Sequence, residues 1–151
     1  MKHSWLILLV FAVSCNTIDV FERSRIFPSH NWPEKERPSF SFDITDTTSP
    51  YNIFLVMRHK DAYRYNNLWV NITMKGPGDS ISVRREFILA NNTKGWLGNG
   101  MDDIFEHRIL FSDKPAPLRQ GRYNFTLQQA MREDPLEHIL NVGIRVEKVK
   151  Q

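Results

Sequence analysis

The stretch Ser39-Phe40-Ser41-Phe42-Asp43-Ile44-Thr45 places large apolar side chains at every second position, with small or charged ones between. Successive side chains on a strand point to opposite faces, so a period of two predicts a strand with Phe40, Phe42 and Ile44 buried and Ser39, Ser41 and Asp43 wet. Asp46-Thr47-Thr48-Ser49-Pro50 ends it with turn chemistry, because short polar side chains bond the local backbone and proline fixes φ.

Working outward, the same pattern recurs. Residues 51–59 are apolar on both faces (Ile53, Leu55, Met57 and Phe54, Val56), as expected of a strand covered on both sides. Leu68, Val70, Ile72 and Met74 alternate with Trp69, Asn71, Thr73 and Lys75, and Gly76-Pro77-Gly78-Asp79 then turns the chain. Further strands are predicted over 80–89, where Arg84-Arg85-Glu86 interrupts the pattern, and over 104–111, 122–129 and 142–149. A short strand is expected near Ile18-Asp19-Val20-Phe21-Glu22. Residues 130–140 are the one helical suspect: Leu136, Ile139 and Leu140 have helical spacing, but Pro135 limits any helix to a short turn. The fold class expected is therefore all-β: an antiparallel β-sandwich, jelly-roll-like, with about eight strands and at most one short helix.

The N-terminus reads differently. Met1-Lys2-His3-Ser4 precedes the apolar run Trp5 to Val13, then Ser14-Cys15, which describes a secretory signal peptide. The run is about half the ~20 residues of a spanning helix. Ala12-Val13-Ser14-Cys15 resembles the lipobox of bacterial lipoproteins, whose cysteine receives diacylglycerol and becomes the new N-terminus. The competing reading is a signal peptide followed by an incidental thiol. Cys15 is the only cysteine, so it has no partner for a disulfide within the chain. The expected domains are residues 1–14 as signal peptide, 15–38 as a lipidated tether pinned by Trp32, and 39–151 as the sandwich. Cleavage leaves 137 residues and a charge of about +2, too small to imply a nucleic-acid groove. Membrane attachment would then rest on acyl chains at Cys15, several of which anchor stably where one does not.

Three stretches together resemble the gliding-motility lipoprotein GldH family of bacteria that carry gliding or related secretion machinery. They are residues 39–53; Gly95-Trp96-Leu97-Gly98-Asn99-Gly100 with Asp103-Ile104; and Gln129-Ala130-Met131-Arg132-Glu133-Asp134 followed by Val142-Gly143-Ile144-Arg145-Val146-Glu147. Residues 61–68 are similar too, with Arg64 where a proline is expected. The resemblance implies an envelope lipoprotein needed for gliding, with a non-enzymatic role beside other gliding or secretion proteins. It carries over no catalytic residues.

The candidate sites follow from surface chemistry. On the glycine-rich loop, Trp96, Leu97 and Asn99 are candidate partner contacts, since tryptophan is enriched at binding hot spots; the alternative is that Trp96 folds back and caps the sandwich. Arg132 and Glu133 are further contact candidates on a segment leaving a strand; the alternative is a local network in which Arg132 pairs with Glu133 or Asp134. Trp69, Tyr63 and Tyr65 are candidate glycan-stacking rings, Trp69 lying on the face opposite Leu68 and Val70. Thr47 and Ser80, in Asp46-Thr47-Thr48 and Asp79-Ser80-Ile81, fit an O-glycosylation pattern and fall in predicted turns. His59 and His107 each end or interrupt a strand and could meet across the sheet, but no histidine spacing describes a zinc site, so no metal and no cofactor are expected. With no catalytic motif evident, the chain is not expected to be an enzyme. Asn16, and the lack of an acidic run after Cys15, favour the outer membrane facing the periplasm. A glycan-binding envelope lipoprotein is the alternative function.

Overall fold

The computed structural model describes residues 20–150, and the expected signal peptide (1–14), Cys15 and Ile18-Asp19 lie outside them. The strands are β1 (Val20–Ile26), β2 (Asn31–Trp32), β3 (Ser39–Ile44), β4 (Pro50–Lys60), β5 (Asn67–Gly76), β6 (Asp79–Ile88), β7 (Ala90–Asn91) and β8 (Gly95–Trp96). They continue with β9 (Asn99–Met101), β10 (Ile104–Leu110), β11 (Ala116–Pro117), β12 (Gly121–Gln129), β13 (Leu136–Glu137) and β14 (Ile139–Lys148). Eight are six residues or longer, and each overlaps one of the strands expected from alternation.

Two antiparallel sheets carry the fold. One runs β1-β14-β4-β10-β9, with β11 continuing along β4; the other runs β3-β12-β5-β6. The deciding stretch pairs with β12 so that Phe40 meets Phe125 and Phe42 meets Tyr123, all four buried. Leu55, Met57, Val142, Ile144 and Val146 close the core from the first sheet. Rings join the layers: Phe21 lies 5.4 Å from Phe42, and Phe87 meets Phe111 edge-on at 5.7 Å. The fold is an antiparallel β-sandwich.

Residues 20–38 are built into it. All seven residues of β1 pair along β14, from Val20 opposite Glu147 to Ile26 opposite Asn141. Trp32 is fully buried, stacks on Phe27 and donates its Nε1–H to the Glu36 carbonyl at 2.9 Å.

The helical suspect holds no helix: residues 130–135 bend without regular structure, and 136–137 and 139–140 are strand. Leu136 pairs with Trp32, His138 turns with φ 67°, and a bulge separates Ile139 from Asn141 as β14 begins. The 136/139/140 spacing came from a turn and a bulge that re-aim side chains, and not from a helical face.

Candidate functional site

Sequence places a groove on the outer face of the four-stranded sheet, where the end of β12 leaves the ladder. The pairing of Gln129 with Val70 continues into a bond from the Ala130 N–H to the Trp69 carbonyl at 2.8 Å. Gln129 is almost fully buried and holds the exit from inside. Its Oε1 accepts the Met131 N–H at 2.8 Å and its Nε2 donates to the Glu133 carbonyl at 2.9 Å. A buried amide that satisfies two backbone groups fixes the segment's shape, since leaving either unpaired costs about 1–3 kcal/mol.

That segment and β5 wall a groove of about 430 Å³ lined by Tyr65, Asn67, Trp69, Arg84, Met131 and Arg132. The Trp69 N–H points at the Met131 sulfur, 3.2 Å away. The Arg84 guanidinium lies over the Trp69 ring at 5.1 Å and donates to the Ala130 carbonyl at 3.1 Å. Arg132 is exposed and makes no ion pair among the described residues. Glu133 binds Arg64, which also reaches Glu137 at 3.3 Å, and Asp134 accepts the Glu34 N–H at 2.8 Å. Neither acid pairs with Arg132, contrary to the local network the sequence allowed.

Three sequence candidates thus share one groove: Tyr65, Trp69 and Arg132. Tyr63 does not join them as a stacking platform. It is 4% exposed, with its hydroxyl donating to the Asn67 carbonyl, so no sugar can lie on its ring. Trp69 is half-buried, and one face carries Arg84. Arg84 and Met131 were missed by sequence reasoning. No break in pattern marked Arg84, which holds an ordinary polar position in the alternation of β6.

A second cluster lies under the glycine-rich loop. Trp96 folds back, donates its Nε1–H to Asp61 at 2.7 Å, and sets its ring 4.3 Å from that of His59. His59 and His107, both buried, share a bond between their Nε2 atoms of 2.9 Å. His59 Nδ1 lies 2.8 Å from the Lys60 carbonyl and must donate to it, so its Nε2 is bare and accepts from His107. Burial holds His59 below its ordinary value and pushes His107 down to about 4, helped there by His59. Both rings are neutral at pH 7. Gly98 is required above them: a Cβ there would stand 2.4 Å from the Glu106 carbonyl oxygen and 2.9 Å from the His107 ring. Leu97 and Asn99 are exposed along a separate groove of about 360 Å³ beside His107.

Among the described residues no three His, Cys, Asp or Glu side chains are grouped to hold a metal ion. Neither histidine bonds a hydroxyl, thiol or carboxylate. Thr47 is exposed in the turn before β4, whereas Ser80 is exposed on β6, a strand and not the turn expected there.

The fold is that of an antiparallel β-sandwich domain with an aromatic groove on its outer face. The chain belongs to the GldH lipoprotein family, whose model matches residues 19–146. It is 30% identical over 148 residues to the gliding motility lipoprotein GldH homolog of Christiangramia forsetii, covering 93% of this chain and 90% of the relative. It is 29% identical to the gliding motility lipoprotein GldH of Flavobacterium johnsoniae, covering 98% of each. Among solved structures, the VP2 subviral particle of infectious bursal disease virus aligns with 85% of this chain and 30% of its own, at 12% identity and a TM-score of 0.31, too slight a likeness to bear on function.

Proposed function

We propose that this chain is a lipid-anchored, non-catalytic docking subunit of a gliding or gliding-type secretion apparatus, held by acyl chains on Cys15 at the outer membrane and facing the periplasm. The observation that carries the docking role is the groove formed by Tyr65, Trp69, Met131 and Arg132. It joins aromatic rings and a thioether to a guanidinium with no acidic partner among the described residues, and tryptophan, tyrosine and arginine dominate protein-binding hot spots. Arg132 selects a partner that presents a carboxylate there, since desolvating an unpaired guanidinium is costly. Sugar stacking is less well served, because Arg84 covers Trp69 and Tyr63 is buried.

Anchoring follows from the lipobox-like residues ending at Cys15 and from membership of a lipoprotein family. Both relatives are named for gliding motility, which supports placing this chain in such machinery.

The test is affinity purification of tagged protein from detergent-solubilised membranes. Wild-type protein should bring down a defined set of envelope proteins that Trp69→Ala and Arg132→Glu lose while staying folded. An unchanged set with both variants would remove the groove from the account, and recovery only on immobilised polysaccharide would replace docking with glycan binding.

A further inference from the structure

Strand β6 is one of the two edges of the four-stranded sheet, β3 being the other. It is ten residues long, and no backbone hydrogen bond among the described residues reaches it from its outer side. Its inward-facing positions begin as core and then lose their cover. Phe87 is 2% exposed against Phe111, whereas Val83 and Ile81 on the same face are 45% and 51% exposed. A long edge with bare β-branched side chains is a feature that native sandwiches normally blunt, because its N–H and C=O groups template another strand.

The sequence of this edge specifies which strand. Around Ser82, Asp79-Ser80-Ile81-Ser82-Val83-Arg84-Arg85 is complementary to its own reverse. Two copies paired antiparallel, with Ser82 opposite Ser82, set Ile81 against Val83 twice and Asp79 against Arg85 twice. All four of these residues lie on the inward side, since positions two apart share a face. Ser80 meets Arg84, so no like charges oppose each other. Moving the two-fold to Val83 puts Asp79 against Phe87, and moving it to Arg84 puts arginine against arginine. Charge therefore selects one register. Arg85 is half-buried and makes no ion pair among the described residues, and Asp79 is exposed with only Arg119 at 4.0 Å. Each is free to take the other's partner role across the two-fold.

We infer that the occupant of this edge is a second copy of the chain, pairing β6 to β6 across a two-fold axis at Ser82 and joining the two four-stranded sheets into one. Such an interface is self-complementary, as closed dimers require. It lies on β6 at this edge, and Arg84 is the only residue of the docking groove that it involves.

Sedimentation velocity of the full chain in detergent, over a rising concentration series, reads the dimer. Arg85→Asp should weaken association at least tenfold, and Asp79→Arg with Arg85→Asp together should restore it. Circular dichroism checks that each variant is folded. The register is tested separately in a Cys15→Ser background. Opposed residues in an antiparallel pair have Cα atoms about 4.5–5.5 Å apart, within disulfide reach, so Ser82→Cys should oxidise to a covalent dimer. Ser80→Cys should not, because its two copies sit about 13 Å apart along the strands. A monomer throughout, a dimer indifferent to Arg85→Asp, or equal cross-linking from both positions would overturn the inference.

Discussion

Acidification should loosen this sandwich through its buried histidine pair, in a pH range set by the two rings. His107 and His59 are neutral in the fold, and burial is the first cause of both lowered values. A histidine whose folded pKa lies below its unfolded one binds fewer protons when folded. Its stabilisation is full above the unfolded value of 6.5 and is lost as pH falls toward the folded value of about 4. For His107 alone, linkage gives a loss of roughly 2.5 kcal/mol by pH 4.5, and about 3 kcal/mol in all. His59 acts in the same direction. The window from 6.5 to 4.5 is informative because Asp46, held low by Lys148, Thr48 and Ser49, keeps its full stabilisation there and loses it only below its ordinary value of 3.8, while Glu22, also held low, begins to lose its own only near the bottom of the window. Urea unfolding followed by tryptophan fluorescence should show the midpoint falling by about 1–2 M between pH 7 and 4.5. His107→Phe supplies the control. At pH 7 it costs about 1–3 kcal/mol by leaving the His59 Nε2 without a donor, but its midpoint should vary less with pH, since only His59 then contributes. Parallel decline of wild type and variant across this window would refute the reasoning.

Three further outcomes follow from the packing. Trp32→Ala removes a fully buried ring that stacks on Phe27, so it should cost about 3–5 kcal/mol and lower the melting temperature by more than about 10 °C in calorimetry. Gly98→Ala forces a methyl against the Glu106 carbonyl and the His107 ring; about 1–3 kcal/mol should be lost, and Trp96 emission should shift to the red as its ring leaves His59. If Thr47, exposed beside the Asp46 turn, carries an O-glycan in the native cell, intact mass should show hexose increments that Thr47→Ala removes, and a mass without increments counts against modification.

The strands were legible because one face of most of them is buried, and a period of two records that directly. Phe40, Phe42 and Ile44 are 8%, 3% and 2% exposed where alternation puts them inside. β6 shows the limit: Ile81 and Val83 alternate as core residues do, yet lie half bare, because no pattern within a strand reports whether the opposite layer extends over it. Leu136, Ile139 and Leu140 misled because a turn with positive φ and a bulge reset the facing of side chains within four residues. The groove was half legible. Tyr65, Trp69 and Arg132 stood out by type, but their meeting depends on the exit of β12 that Gln129 pins from within. Arg84 was not legible, since it sits on the wet side of the alternation like any surface charge and its role depends on the ring it covers from the neighbouring strand.

Cys15→Ala tests most directly the proposal that the domain acts where a lipid on Cys15 holds it. Cells lacking the native gene are complemented with wild type or variant, and their membrane and soluble fractions and their motility or secretion are measured together. Wild type should fractionate with membranes and restore function. The variant should appear in the soluble fraction with an unchanged urea midpoint, keep its groove-dependent partners in solution, and fail to complement. A soluble, fully functional Cys15→Ala protein would contradict the account.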